Sequence, residues 1–161
     1  MTDDSAIGSH TSTVHARRRE NPQQRIRQLM WRPVGGGRVA VVGRARNWLT
    51  RSLPRLVGLN ARIQLGEDTE LLLSELITNA VLYAGGVTTV RLRLTGTVLR
   101  LTVCDHATAT PTARTATTDD EHGRGIALVT ALAVRWGVER SRTIAGKCVW
   151  LELSTAATSA A

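Results

Sequence analysis

The chain has 161 residues, 42% of them apolar, and a formal net charge of +8. This length suffices for one domain with a sizeable core, and no stretch approaches the ~18 apolar residues that a membrane helix needs. The first 28 residues hold no apolar block of the secretory kind, so we expect a cytoplasmic protein that does not contact a membrane. With no phenylalanine and one tyrosine, its core must be aliphatic.

The basic residues and the cysteines do not form a recognisable binding motif. The arginines are dispersed except for Arg17-Arg18-Arg19, so we expect no direct contact with nucleic acid. A basic nucleic-acid binder with salt-sensitive DNA affinity is kept as the least favoured alternative. Cys104 and Cys148 stand alone in the sequence, without the spacing of a zinc site or a disulfide framework. We therefore predict two reduced, buried thiols.

The chain divides into a polar beginning, a central domain and a short end. Residues 1–30 lack hydrophobic periodicity and are predicted to form a disordered tail. The folded domain is predicted at residues 31–154, and residues 155–161 are predicted to form a flexible tail. The domain opens with a loop or short edge strand at residues 31–37, which ends in three glycines.

Two helices are predicted next. The first covers residues 38–53 and ends at Pro54. The second carries Glu67 and Asp68 in its first turn and ends at Gly85-Gly86. Its apolar stripe, at steps of three and four, consists of Leu72, Leu73, Leu76, Ile77, Ala80, Val81 and Ala84.

Glu75 and Asn79 lie beside this stripe, one helical turn apart. A carboxylate and an amide in that position need partners, because a buried polar group without one costs about 1–3 kcal/mol. From this helix alone, a polar surface that happens to carry both residues is an equally good interpretation.

The periodicity then changes from 3.6 to 2. Residues 87–95 and 98–104 alternate apolar residues with arginines and threonines, and Gly96-Thr97 separates them. This pattern predicts a β-hairpin that buries one face and leaves the arginines and threonines exposed to water.

A segment without periodicity follows at residues 105–122, and its length is typical of a functional lid or of disorder. Gly123-Arg124-Gly125 then precedes a helical pattern, and residues 136–140 and 147–153 are predicted strands. Tightly connected strands with a few helices indicate an α+β fold, with an antiparallel or mixed sheet and helices on one face.

Three features could form one site. They are the Glu75 and Asn79 pair, Asp105 just past the end of a strand, and the glycines at 123 and 125 before a helix. Glycines at a helix start expose backbone N–H groups, and the helix dipole favours anions there. A single Gly-x-Gly is weak evidence for a phosphate site, because many turns contain it.

Taken together, the motifs resemble the GHKL superfamily of ATP-binding domains, which includes histidine kinases, Hsp90, gyrase B and MutL. Ser74–Val81 resembles its N box, Val103–Asp105 the start of its first glycine box, and Gly123–Val129 its second. The short length and the segment Trp136–Leu153 are most similar to the anti-sigma-factor serine kinases of Gram-positive bacteria and to single-domain relatives in actinomycetes.

The resemblance implies a two-layer α/β sandwich of the Bergerat type, with a mixed, mostly antiparallel sheet. It implies that Asn79 coordinates a Mg²⁺ ion on the ATP phosphates, that Glu75 is the general base, and that Asp105 accepts a hydrogen bond from the adenine amino group. The further nucleotide-binding residues that it implies are Gly123, Arg124, Gly125, Ile126 and Cys148.

The implied function is transfer of the ATP γ-phosphate to a serine of an antagonist protein. The implied partners are that protein and a sigma factor, with a homodimer as a further expectation. The sequence departs from the family pattern at Tyr83, where histidine is common, at His106-Ala107-Thr108, where glycine is usual, and at Cys148, where threonine is common. These departures motivate the alternative of a nucleotide-dependent protein-binding module with little or no catalysis.

Overall fold

A computed structural model describes residues 26–58, 63–108, 128–141 and 145–156. Within these ranges five strands form one sheet in the order β1-β2-β3-β5-β4. Residues 128–132 form a further helical segment. The other elements are β1 Arg27–Trp31, α1 Val41–Val57, α2 Ile63–Tyr83, β2 Val87–Thr95, β3 Val98–Asp105, β4 Arg135–Arg140 and β5 Lys147–Ser154.

The fold is a two-layer α+β arrangement, as predicted. Every pairing among the five strands is antiparallel, so the described part of the sheet is not mixed. Both helices pack on the face that carries the aliphatic side chains of the hairpin, namely Val90, Leu92, Leu94, Leu99, Leu101 and Val103. The core is aliphatic because valine and leucine fill the positions that aromatic residues occupy in many domains.

The first helix differs from the prediction at both ends. It begins at Val41, and it continues through Pro54 to Val57. Proline removes one helical N–H donor and disfavours the preceding turn, but it does not end a helix whose later residues are held by packing. Leu53 and Leu56, which lie on either side of Pro54, are both buried. The helix ends at Val57, and Gly58, where φ is 87°, follows as its cap.

The second helix starts earlier than its charges indicated. It begins at Ile63, so Glu67 and Asp68 lie beyond the first turn. Its end is as predicted: the Gly86 N–H donates to the Ala80 carbonyl at 2.8 Å, the six-residue closure typical of a glycine-terminated helix. None of the helices in the described ranges is long and apolar enough to cross a membrane.

The edge strand β1 corrects the predicted tail. Arg27–Trp31 pairs with β2 over five residues, so residues 27–30 belong to the folded domain. Only Leu29 and Trp31 of this strand pack against the core, and two apolar residues in alternation are too few for a hydrophobic pattern to reveal a strand. Residues 1–25 and 157–161, which include most of both predicted tails, lie outside the described residues.

Two glycines allow the loop after β1 to approach the start of β2. A Cβ on Gly36 would lie 1.9 Å from the Val87 carbonyl oxygen, and a Cβ on Gly86 would lie 2.7 Å from the Gly37 backbone. The Val87 N–H donates to the Gly36 carbonyl at 3.0 Å. This close approach fixes the loop beside the end of α2.

The outer face of the sheet, away from α1 and α2, is less exposed to solvent than predicted. Thr102 is buried, and Arg91, Arg93 and Arg100 are half-buried. On the same face Glu152 is buried and accepts hydrogen bonds from Arg100 at 2.9 Å and from Arg135 at 2.5 Å. The arginines of this face therefore partly shield one another and a carboxylate from solvent.

Glu152 gives the fold an acid-sensitive contribution. Burial raises the pKa of its carboxyl, but the hydrogen bond from Arg135 and the charges of Arg100 and Arg135 outweigh burial and hold the pKa below its usual value. A carboxyl with a lowered folded pKa stabilises the fold above its unfolded pKa of about 4.3, and this contribution is lost as the pH falls below that value.

We therefore expect the free energy of unfolding to fall on acidification from about pH 5 to pH 3, and to fall less steeply in Glu152→Gln. Urea denaturation at several pH values measures both slopes. Glu67→Gln, which changes an exposed carboxyl on α2, is the control and should keep the original slope. Equal slopes for the wild type and Glu152→Gln would show that Glu152 is not the source of this acid-sensitive contribution.

Candidate functional site

Glu75 and Asn79 lie in the second half of α2 and are half-buried. Between them and after them the helix buries Leu76, Ile77 and Ala80 against the sheet. Within the described part of the chain neither polar side chain has a hydrogen-bonding or ionic partner. A carboxylate and an amide one turn apart, partly shielded from water and unpaired, are available to a ligand.

The end of α2 is joined to the end of β3. The His106 N–H donates to the Ala84 carbonyl at 3.1 Å, and His106 directly follows the last residue of β3. Ala84 lies five residues after Asn79, which corresponds to about 7.5 Å along a helix. The sequence-predicted residues Asn79 and Asp105 are therefore held at the same end of the two-layer structure.

Asp105 is 3% exposed and is already engaged. Lys147, directly opposite on β5, donates to its Oδ1 at 3.0 Å and to its Oδ2 at 2.8 Å. The Ala107 N–H donates to Oδ1 at 2.9 Å. A carboxylate can accept about four hydrogen bonds, so about one acceptor position stays open, enough for a single amino group of a ligand.

The sequence did not reveal Lys147, the sole lysine of the chain. It lies 42 residues from Asp105, and the two meet only because β3 and β5 are neighbours in the sheet although β4 lies between them in sequence. One signal was available in the sequence: one strand pattern ends at Asp105 and another begins at Lys147. Antiparallel pairing of these two strands places the two residues opposite each other.

The prediction of two reduced thiols is wrong for this structure. Cys104 and Cys148 are cross-strand neighbours with a Cα–Cα distance of 3.9 Å, and their sulfur atoms form a disulfide. Successive residues of a strand point to opposite faces, so this disulfide lies on the outer face while Asp105 and Lys147 face the helix layer. The structure thus does not bring the Cys148 side chain together with Asp105.

The remaining predicted site residues belong to the second glycine box. Gly123, Arg124, Gly125 and Ile126 lie in the range 109–127, outside the described residues, as does most of the predicted lid. The described site therefore consists of Glu75 and Asn79 on α2 and of Asp105 with Lys147 at the end of the two central strands.

The fold is an α+β domain, and the candidate ligand site lies at the strand ends, between sheet and helix. The sequence profile of the histidine kinase-like ATPase domain matches residues 37–153. The chain belongs to this family, within the GHKL superfamily, and is accordingly an ATP-binding, kinase-like domain. The membership in the GHKL superfamily that was predicted from the N box and the glycine boxes is confirmed.

Among solved structures, the chain is similar to the histidine kinase domain from the blue-light activated histidine kinase of Erythrobacter litoralis EL346. The two share 22% sequence identity at a TM-score of 0.45. The match covers 73% of this chain and 60% of that one, so this chain spans less than two thirds of its neighbour. No curated protein sequence matches the chain.

Proposed function

We propose that this domain binds Mg-ATP between α2 and the ends of β3 and β5, and transfers the γ-phosphate to a serine of an antagonist protein. A sigma factor would be its second partner and a homodimer its assembly, as the resemblance to anti-sigma-factor kinases implies. The observation that carries the proposal is the unpaired Glu75 and Asn79, one turn apart on a helix whose end is tied to the end of β3 beside Asp105.

The residues present fit the adenine and the metal. Asp105 retains about one acceptor position for the adenine amino group, with Lys147 and the Ala107 N–H holding the carboxylate in place. No cluster of three or more His, Cys, Asp or Glu side chains occurs in the described ranges. Magnesium needs no such cluster, because it keeps several waters and takes one or two protein oxygens beside the phosphates. The amide oxygen of Asn79 can supply one.

Glu75 would act as the general base. It would accept the proton of the serine hydroxyl as that oxygen bonds to the γ-phosphorus and the bond from phosphorus to the ADP oxygen breaks. Its position one turn from Asn79 supports this role, because a base there would lie next to the residue that would hold the metal. Bound Mg²⁺ would neutralise the charge that develops on the phosphate oxygens.

Two observations favour the alternative, a nucleotide-dependent protein-binding module with little catalysis. His106 stands where the family has a glycine, directly after the adenine-reading carboxylate. In addition, Cys148 replaces a hydroxyl residue and its sulfur is bonded to Cys104. In this alternative Mg-ATP binds and alters partner affinity, and no phosphate is transferred.

Two substitutions on the same helix separate the roles. Glu75→Gln should keep Mg-ATP affinity within about threefold and lower phosphate transfer by about 10²–10⁴-fold, the usual contribution of a general base. Asn79→Ala should weaken Mg-dependent binding by about tenfold or more, since it removes a metal ligand. Calorimetry measures binding, and γ-labelled ATP with purified anti-anti-sigma (antagonist) proteins measures transfer.

The control is Ser74→Ala, a half-buried neighbour whose hydroxyl donates to the Glu70 carbonyl within the helix. It should leave both quantities unchanged. Binding of Mg-ATP without phosphate transfer would favour the alternative, the protein-binding module. Transfer that survives Glu75→Gln would exclude Glu75 as the base. No binding at millimolar Mg-ATP would overturn the nucleotide site.

A further inference from the structure

The outer face of the sheet holds a cavity that the proposed function does not use. Its volume is about 390 Å³, and it lies across β1, β2, β3, β5 and β4 on the side away from α1 and α2. Its lining is mostly polar and includes the charged residues Arg32, Arg91, Arg93, Arg100, Arg140 and Glu139. The sheet itself separates this cavity from Glu75, Asn79 and Asp105.

The charges around the cavity are not balanced. By strand alternation, the side chains of Arg32, Arg91, Arg93 and Arg100 lie on this face with one glutamate of the lining, and of these four arginines only Arg100 is paired with a described carboxylate, that of Glu152. Arg93 lies directly opposite Arg100 in the pairing of β2 with β3, and like charges in that position repel. The cavity therefore carries a concentrated positive potential within the fold.

Arg91 and Arg93 also contain unused donors. The Nε atom of each is buried and has no hydrogen-bond partner among the described residues. A buried donor without a partner is unfavourable, and more so when it carries charge. An anion between these side chains would satisfy both donors and remove the repulsion between Arg93 and Arg100.

We infer that this cavity is a binding site for a small oligophosphate anion, distinct from the Mg-ATP site. The guanidinium group presents planar pairs of donors that match phosphate oxygens. Phosphate oxygens point in tetrahedral directions and can accept from several arginines at once, whereas one carboxylate offers two oxygens in a plane. The volume lies at the low end of the range for small-ligand pockets, which fits a compact ligand.

Pyrophosphate is the probe, titrated calorimetrically into the full chain in EDTA, so that neither adenine nor Mg²⁺ contributes. The wild type should bind, and Arg91→Gln/Arg93→Gln should weaken the affinity at least tenfold. Arg51→Gln, the same charge change at an exposed position of α1, should have no effect beyond about twofold. Asn79→Ala should also bind as the wild type does, which separates this site from the nucleotide site.

Arg32→Gln provides a second test, because this residue is exposed and its replacement does not disturb packing. It should weaken pyrophosphate binding at least threefold even if the inner pair is needed for folding. The inference is overturned if the wild type binds no pyrophosphate at millimolar concentration, or if Arg51→Gln weakens binding as much as the cavity variants do. Binding of a polyglutamate peptide or an oligonucleotide on this face without pyrophosphate binding would also overturn it.

Discussion

Lys147→Met is expected to lower the free energy of unfolding by about 3–5 kcal/mol, the usual effect of removing one partner of a buried ion pair. Asp105 would then stay buried with the Ala107 N–H as its remaining described donor. Asp105→Asn should be milder, because the 14% exposed side chain of Lys147 can reach water along its flexible stem. Urea denaturation of the two single variants gives both values.

The double variant Asp105→Asn/Lys147→Met completes the cycle. Since it removes both charges together, it should recover most of the stability that Lys147→Met loses. Arg55→Met, which removes an exposed positive charge from α1, should change stability by less than about 0.5 kcal/mol. A double variant as unstable as the sum of the single ones would show that the pair contributes no coupling.

Reduction of the Cys104–Cys148 disulfide is expected to lower the free energy of unfolding by about 2–4 kcal/mol. The cross-link spans 44 residues, and closing a loop of this size restricts the unfolded chain substantially. Denaturation with and without dithiothreitol measures the difference, and mass spectrometry of alkylated thiols verifies the redox state. Because both cysteines are buried, reduction needs long incubation or mild denaturant.

The matched control is Cys104→Ala/Cys148→Ala, which should be insensitive to dithiothreitol and close in stability to the reduced wild type. If the purified wild type carries two alkylatable thiols under oxidising conditions, the disulfide is absent and the original prediction of free cysteines stands. A reductant effect of the same size in the double alanine variant would have another cause.

The hairpin and the main part of both helices could be predicted from the sequence, since their signals are local. Val90, Leu92 and Leu94 alternate strictly with polar residues, and Gly85-Gly86 marks the end of α2. The sequence predicts too late a start for α2, because Gly66 interrupts the first turns and charged residues follow it. These boundaries depend on packing against the sheet, which a local pattern does not contain.

The candidate site was predictable in its first residues and not in its partners. Glu75 and Asn79 are visible in one helix and in the N-box resemblance, and Asp105 ends a clear strand. Its ion pair with Lys147 and the bond between Cys104 and Cys148 both depend on β3 lying beside β5, with β4 on the far side. A strand order that departs from chain order is a property of the whole sheet and leaves no mark at either residue.

The same strand order has a consequence for a broken chain. The disulfide joins two central strands, and all of residues 105–147 lies between its cysteines. A protease that cuts once in this interval produces two fragments held by one covalent bond. On a gel without reductant they would migrate as a single species and separate only after thiol treatment. Limited proteolysis can therefore divide the backbone beyond Asp105 while the two strands that carry Asp105 and Lys147 stay linked.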